Sequence, residues 1–509
     1  MKKYISRLKG GCKLHTFLYW SLLRLLMLYA LFSCASGDSF AAGDITAVTG
    51  LIHIAVCFIA SFLWELSQIM PEKSILRLMP VSIHTALNTG LFISSFLGIF
   101  CNWYYEIRFF DPLLTAFFGV WSVLYGYEIA YAVVKKHHFA ATKAMVFFAA
   151  FGISFIFLNV CELGEFISDQ LLGVLTGQVG NAQFWSDALA ENTARAESVI
   201  PAIDSARVPL MDIMADIVIH TVSAFAALIF INVCPYRLRG KFRYDIDYDN
   251  NYVTTPESER EGEGYIQRLR NNCTPRTYAV WWVIRLAMVG LFIKSLFDKP
   301  FSPVIPIEIL MNLGVMFTWE VCMAMPKWTV FRYIRPIMQW AIIIVDFIAV
   351  VAGYLFDFYY EVRLWDSFLH FLCGFGIVFF GYEFACALIR KEKKTASFSL
   401  ILIASVGFCF MATTFWEIFE FSCDQVVGMI SGVPHDVQHW SYAKAFGTPK
   451  FQTLIDYIDI NRYPIMDTMG DIVLNVAGAL LSALVLKIYP YRHRGKFKLD
   501  YVMYKAEEK

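Results

Sequence analysis

The chain alternates long apolar runs with short polar connections. Twelve of the runs are long enough to cross about 30 Å of hydrocarbon as helices. They lie near 17–35, 46–64, 80–101, 112–134, 144–165 and 212–234, then near 278–297, 305–325, 337–356, 366–389, 398–421 and 467–488. The pattern predicts an all-α, polytopic membrane protein of twelve transmembrane helices. Composition agrees: 58% of the residues are apolar, 17% aromatic and 17% charged, with mean hydropathy +0.52, whereas soluble chains average about 45–50% apolar and about 25% charged. The net charge is zero, so no nucleic-acid partner is expected. The 12 cysteines are scattered through apolar runs without a C-x-x-C pair, which fits packing residues better than a disulfide or thiolate site.

The runs are not independent. Residues 64–244 match residues 319–499 at a constant offset of 255: Trp64-Glu65 recurs as Trp319-Glu320, Gly126-Tyr127-Glu128 as Gly381-Tyr382-Glu383, and the Pro235-Tyr-Arg-x-Arg-Gly-Lys-Phe block at Pro490. A gapless match of this length predicts a tandem duplication. Trp20-x-x-x-Arg24 pairs with Trp281-x-x-x-Arg285, so the first apolar run, although preceded by Lys2, Lys3, Arg7, Lys9 and Lys13 in the manner of a signal peptide, is expected to be a retained helix. The expected organisation is a six-helix repeat over 1–243, a polar cytoplasmic linker over 244–276 and a second six-helix repeat over 277–509. Lys and Arg concentrate in alternate connections, which places both termini in the cytoplasm and gives the two repeats the same orientation.

Carboxylates interrupt the apolar pattern at regular spacing. On a helix, Glu417, Glu420 and Asp424 fall within roughly 60° of one another, and Asp467, Asp471 and Asn475 within roughly 80°. Asp366 and His370 sit at the start of the helix before them. Charged groups in a spanning helix are costly and mark functional sites. Under the expected topology all of these meet at the extracytoplasmic ends of three helices. An oxygen-rich set with one imidazole suits a divalent cation such as Mg²⁺, Mn²⁺ or Zn²⁺, with Glu417, Asp424, Asp467 and Asp471 as ligands, His370 and Glu420 as acid/base groups, and Asp366 and Asn475 in support. The plainer alternative is that these groups cap helix ends and bond the bundle together.

The first half keeps Asp111, Glu162, Glu165, Asp169, Asp212 and Asp216, but has Thr115 at the position of His370, Cys161 at that of Trp416 and His220 at that of Asn475. It is expected to carry a divergent site. A second polar layer, Arg24 with Glu65 and Arg285 with Glu320 or Glu383, is expected to form structural ion pairs, an ion path being the alternative. The long connections 170–210 and 425–464 carry Gln178, Gln183, His435, Gln438 and His439 and suit either a lid or an ordinary solvated loop.

The second half resembles the YjdF-like family of bacterial inner-membrane proteins. The resemblance rests on Asp366, His370 and Gly374; Trp416, Glu417, Glu420 and Asp424; and Asp467, Thr468, Asp471, Asn475 and Gly478. The closing Asp471-x-x-x-Asn475-x-x-Gly478 is also similar to the last helix of VanZ-like membrane proteins. The resemblance implies a bacterial cytoplasmic membrane and no particular activity. Two functions remain open: a metal-dependent enzyme acting on a lipid headgroup or lipid-linked phosphate, and a cation- or proton-coupled transporter built from like-oriented repeats. A structural or regulatory membrane protein is a third.

Overall fold

The computed structural model describes residues 10–36, 44–71, 74–107, 109–137, 143–176, 208–233, 264–297, 304–356, 365–392, 396–431 and 463–492, with positions 8, 358 and 362. Within them the chain is all-α, with no strand. In chain order we label α1 Leu14–Ala35, α2 Asp44–Ala60, α3 Leu63–Ile69, α4 Val81–Phe92, α5 Phe110–His137, α6 Lys143–Thr176 and α7 Val208–Val233. There follow α8 Tyr265–Asn272, α9 Pro275–Ser295, α10 Val304–Val315, α11 Thr318–Ala324, α12 Ile337–Phe347, α13 Trp365–Glu392, α14 Phe398–Ser431 and α15 Tyr463–Arg492.

Nine helices among the described residues are long and apolar enough to cross a membrane, ten if the bent pair α2–α3 counts as one span. Of the twelve expected spans, the one near 46–64 qualifies only as that bent pair, and the two near 305–325 and 337–356 do not qualify among the described residues. Of these two, the former breaks into α10 and α11, and the latter is α12 continued by a π-helical stretch, Ile348–Leu355. Burial is inverted relative to a soluble protein. α1 buries Arg24 with Trp20 and Met27 while exposing Leu18, Leu22, Leu25 and Tyr29. Such an outward apolar face needs lipid, not water, beside it.

The breaks explain the inner polar layer. Where α2 bends into α3, by 43°, the carbonyl of Ser61 is turned out of its helix and accepts from Arg24 Nη2, while the same guanidinium pairs with Glu65 at 2.7 and 2.9 Å. Between α10 and α11 the carbonyl of Met316 accepts from Arg285 Nη2 and from Gln339 Nε2, and Arg285 pairs with Glu320 at 2.6 and 3.0 Å. Irregular backbone at membrane depth survives only where protein groups satisfy it, and each fork-shaped guanidinium satisfies a carbonyl and a carboxylate together. Phe62 and Phe317 cover the two guanidinium faces at 4.0 and 4.1 Å. Glu383, the other partner considered for Arg285, accepts from the backbone N–H of Arg335 at 2.9 Å instead.

Helix limits recur at the same offset as the sequence: α5 and α13, and α6 and α14, begin and end 255 positions apart, and the π-helical stretch after α12 has its counterpart at Ile93–Phe100 after α4. The two halves meet along α6 and α14, where Gly152 lies on Gly407 so closely that a Cβ at Gly152 would sit 2.8 Å from Gly407 Cα. Seven residues further on, Asn159 Nδ2 donates to Thr414 Oγ1 at 2.9 Å. One hydrophobic core runs through this seam from Val123 to Leu486. Within the range 244–276 expected as linker, α8 packs on α11, with Arg268 Nη2 donating to Met323 O at 3.2 Å.

Candidate metal and acid–base site

Three helices build the candidate site, and two glycines set how near they come. Gly374 of α13 and Gly478 of α15 face each other's backbones; a Cβ on Gly374 would lie 2.6 Å from Asn475 Cα, and one on Gly478 would lie 2.7 Å from Phe375 N. Small residues allow such contact between apolar helices. The contact brings Asn475 and Asp471, one turn apart on α15, beside His370, which stands one turn before Gly374.

The hydrogen bonds there fix the imidazole tautomer. Asn475 Nδ2 donates to Asp471 O at 2.9 Å, and because a carbonyl only accepts, this atom is assigned as the amide nitrogen. Its other hydrogen points to His370 Nδ1 at 3.2 Å. Nδ1 is therefore the accepting nitrogen, and the neutral ring carries its proton on Nε2. That nitrogen faces Asp471 Oδ2 at 3.2 Å and Asp366 Oδ1 at 3.7 Å.

α14 supplies the remaining carboxylates. Ligand atoms of Glu417, Glu420 and Asp471 lie within 4.8 Å of one another, as do those of Asp366, His370 and Asp471, so Asp471 belongs to both groups. Glu417 is 0% exposed, and neither of its oxygens makes a hydrogen bond of acceptable geometry. The carboxylates of Glu420 and Asp366 are its electrostatic neighbours, and the Thr468 hydroxyl stands beside it as a weak donor. A fully buried carboxylate without a well-formed hydrogen bond or a positive neighbour costs several kcal/mol unless a proton or a cation compensates it. Asp424 and Asp467 lie on α14 and α15 one turn from Glu420 and Asp471, but their side chains, and the outer-loop residues Gln178, Gln183, His435, Gln438 and His439, fall outside the described part of the structure.

The first half is built differently. Thr115 Oγ1 donates to Asp216 Oδ1 at 2.8 Å, filling the place of the imidazole. His220 turns inward to Ser154 Oγ at 2.9 Å and Ser122 Oγ at 3.4 Å, away from the carboxylates. Asp111, Glu162, Glu165, Asp212 and Asp216 are electrostatic neighbours, yet among the described residues no three first-half ligand atoms come as close as the two second-half groups. Asp169 is again outside the described side chains.

One residue near the site escaped sequence reasoning. Asp346 of α12 has a buried Oδ2 without a hydrogen-bond partner and, with Asp366, is an electrostatic neighbour of Cys373 on α13. The signal was available, since it is a lone carboxylate in an apolar run, but it has no counterpart in the other half, where Leu91 stands.

Residues 279–492, fewer than half of the 509, match a family described as "Predicted membrane protein (DUF2238)". No curated protein and no solved structure matches the chain.

Proposed function

We propose that the second half binds a divalent cation between Glu417, Glu420 and Asp471, with His370 as the acid–base group, and acts on a phosphate-bearing lipid headgroup. The observation that carries this reading is Glu417, wholly buried, without a well-formed hydrogen bond or a cationic side chain beside it, and within reach of two further carboxylates. The tautomer divides the labour. A proton on Nε2 makes His370 a hydrogen-bond donor toward Asp471 and Asp366, so in this neutral form it is suited to stabilising negative charge on a leaving oxygen and not to ligating the ion through that nitrogen. Glu420, expected from sequence as an acid/base group, is here assigned to the ion. Asp424 and Asp467, named as ligands from the sequence, lie one helical turn away on α14 and α15. A bound cation would polarise a phosphoryl oxygen or activate water.

Depth supports a lipid substrate. Trp416, on the turn that carries Glu417 and Glu420, is exposed on the outside of the helix bundle, and Trp side chains collect at headgroup level. Elemental analysis of the purified protein, with identification of co-purified lipid, tests the reading. Stoichiometric Mg²⁺, Mn²⁺ or Zn²⁺ that disappears in Glu417→Gln supports it; metal-free protein that takes up none of the three on titration overturns it.

The architecture belongs to the same proposal: a tandem duplication of a YjdF-like unit, with α10–α11 and α12 plus its π-helical stretch counted as broken crossings to give six per repeat. The recurrence of helix limits at the sequence offset supports it. The distribution of Lys and Arg supports a cytoplasmic membrane location with both termini inside.

A second reading, a cation- or proton-coupled carrier, is favoured by the contact of Asn159 with Thr414, its own equivalent in the other half. Like-oriented repeats around one axis are the architecture of several carriers. Metal-dependent uptake into proteoliposomes, without lipid turnover, would select it.

A further inference from the structure

The corner where α8 meets the end of α11 is strongly basic and takes no part in the metal site. Arg268 Nη2 donates to Met323 O at 3.2 Å and Arg332 Nη1 to Met325 O at 3.5 Å, so two guanidinium groups converge on the C-terminal end of one short helix. Arg270 and Arg276, on α8 and at the start of α9, and Lys327, between Met325 and Arg332, are exposed, and their side chains make neither hydrogen bond nor ion pair among the described residues. No acidic residue occurs in 264–297 or in 321–345. Apolar groups accompany the charge: Trp328 is 75% exposed, and Ile266, one turn before Arg270 on α8, is 65% exposed. We propose that this corner binds the headgroup of an acidic phospholipid. Arg332, Lys327 and Arg268 take its phosphate, and Ile266 and Trp328 enter the acyl-chain boundary beside it.

The position of the corner separates it from the metal site. Arg335 N donates to Glu383 Oε1 at 2.9 Å, and Glu383 stands thirteen residues beyond His370 on α13, about 20 Å along the helix. The corner therefore lies at the opposite end of the span formed by α13, next to the start of the span formed by α9. Its lipid belongs to the other leaflet.

The protein also holds the corner in shape. Tyr333 Oη donates to Lys327 O at 3.3 Å, Thr329 Oγ1 to Pro326 O at 2.9 Å and Trp319 Nε1 to Ile334 O at 3.2 Å, so the connection from α11 to α12 is a bonded turn. Tyr265 Oη donates to Glu320 O at 3.4 Å, and Leu269 packs on the core around Trp281 and Trp319. These two anchors leave Ile266 and Arg270 on the outer face of α8.

The charge exceeds what orientation of the helices in the membrane calls for. The equivalent connection of the first half, 70–80, has two basic residues and one acidic, whereas 325–335 has three basic and none acidic. Lys327 stands in the place of Glu72, Trp328 in that of Lys73 and Arg335 in that of Pro80. The sequence of α8 itself recurs before α1, as Tyr4-Ile-x-Arg7-Leu-Lys9-x-x-Cys12. The connection, more than the helix, thus sets the second half apart.

Native mass spectrometry of the full chain, released from detergent that holds equimolar phosphatidylglycerol and phosphatidylcholine with the same acyl chains, reads the preference directly. The wild type should retain phosphatidylglycerol over phosphatidylcholine. A cation beside an acidic headgroup contributes about a fivefold preference. Lys327→Glu, which installs the residue of the first half, and the double variant Lys327→Gln with Arg332→Gln should each lower the ratio by at least that factor. Lys73→Gln should leave it unchanged. Equal retention of the two lipids by the wild type, or a wild-type ratio in both Lys327 variants, would overturn the proposal. So would displacement of the lipid by millimolar inorganic phosphate, which would make the ligand a free anion, or a dimer lost in the same variants, which would assign the face to a second copy of the chain. Glu417→Gln should keep the wild-type ratio even where it loses the metal. Loss of the ratio there, with none in Lys327→Glu, would put the acidic lipid in the metal site and refute this one.

Discussion

At the level of single residues, the orientation of one amide decides what His370 can do. Asn475 spends both amide hydrogens, on Asp471 O and on His370 Nδ1, which leaves Nε2 protonated and poor as a ligand. Replacing Asn475 by Asp supplies an acceptor at the same place, moves the ring proton to Nδ1 and frees the Nε2 lone pair. With Mn²⁺ bound, electron-spin-echo spectra should show no imidazole nitrogen coupling in the wild type and a clear one in Asn475→Asp; coupling in both would mean that His370 ligates the ion already. The guanidinium clamps make a separate residue-level prediction. Glu320→Gln leaves Arg285, 1% exposed, without its charge partner. Breaking a buried pair from one side costs about 3–5 kcal/mol, to be read as a large loss of unfolding midpoint in mild detergent. Glu383→Gln should cost much less, since it does not face that guanidinium.

Between helices, the site depends on how closely α13 and α15 approach. Gly374→Leu would drive a side chain into the Asn475 backbone and should cost about 1–3 kcal/mol or more in stability. It should also abolish divalent-ion binding by carrying Asp471 away from Glu417. Gly376→Leu, at a position where a Cβ meets nothing within 4 Å, is the control and should retain the ion. The sequence placed α13, α14 and α15 well, because their polar positions recur at helical spacing on otherwise apolar runs. It also identified Asp366, His370, Glu417 and Asp471 as neighbours, because three matching stripes can satisfy one another only at a common helix end. It was less informative for helices whose shape is set by tertiary contacts. The breaks before α3 and α11 arise where Arg24 and Arg285 capture the carbonyls of Ser61 and Met316, and nothing in the local apolar pattern signals a bend. The tautomer of His370 was invisible for the same reason, since it rests on residues far apart in the chain.

For the whole molecule, the contact along α6 and α14 governs how the two halves can work. Gly152 meets Gly407 and Asn159 meets Thr414, and in each case a residue touches its own equivalent, which happens only at a two-fold axis. Two such contacts seven residues apart, about 10 Å along a helix, mean that α6 and α14 run in the same direction, which supports the proposed like-oriented repeats. A short thiol-specific crosslinker should therefore join Asn159→Cys to Thr414→Cys within one chain, and should fail with Asn159→Cys alone. Under the proposed duplication both carboxylate clusters fall at the same end of the bundle, on opposite sides of the axis, where a fully symmetric protein would bind two ions. The residues are not symmetric: Thr115 occupies Asp216 in the first half, whereas His370 faces Asp471 in the second. Bound metal should accordingly fall to background in Asp471→Ala and stay near the wild-type level in Asp216→Ala. Equal loss from the two variants would place equivalent ions in both halves and refute the division of labour.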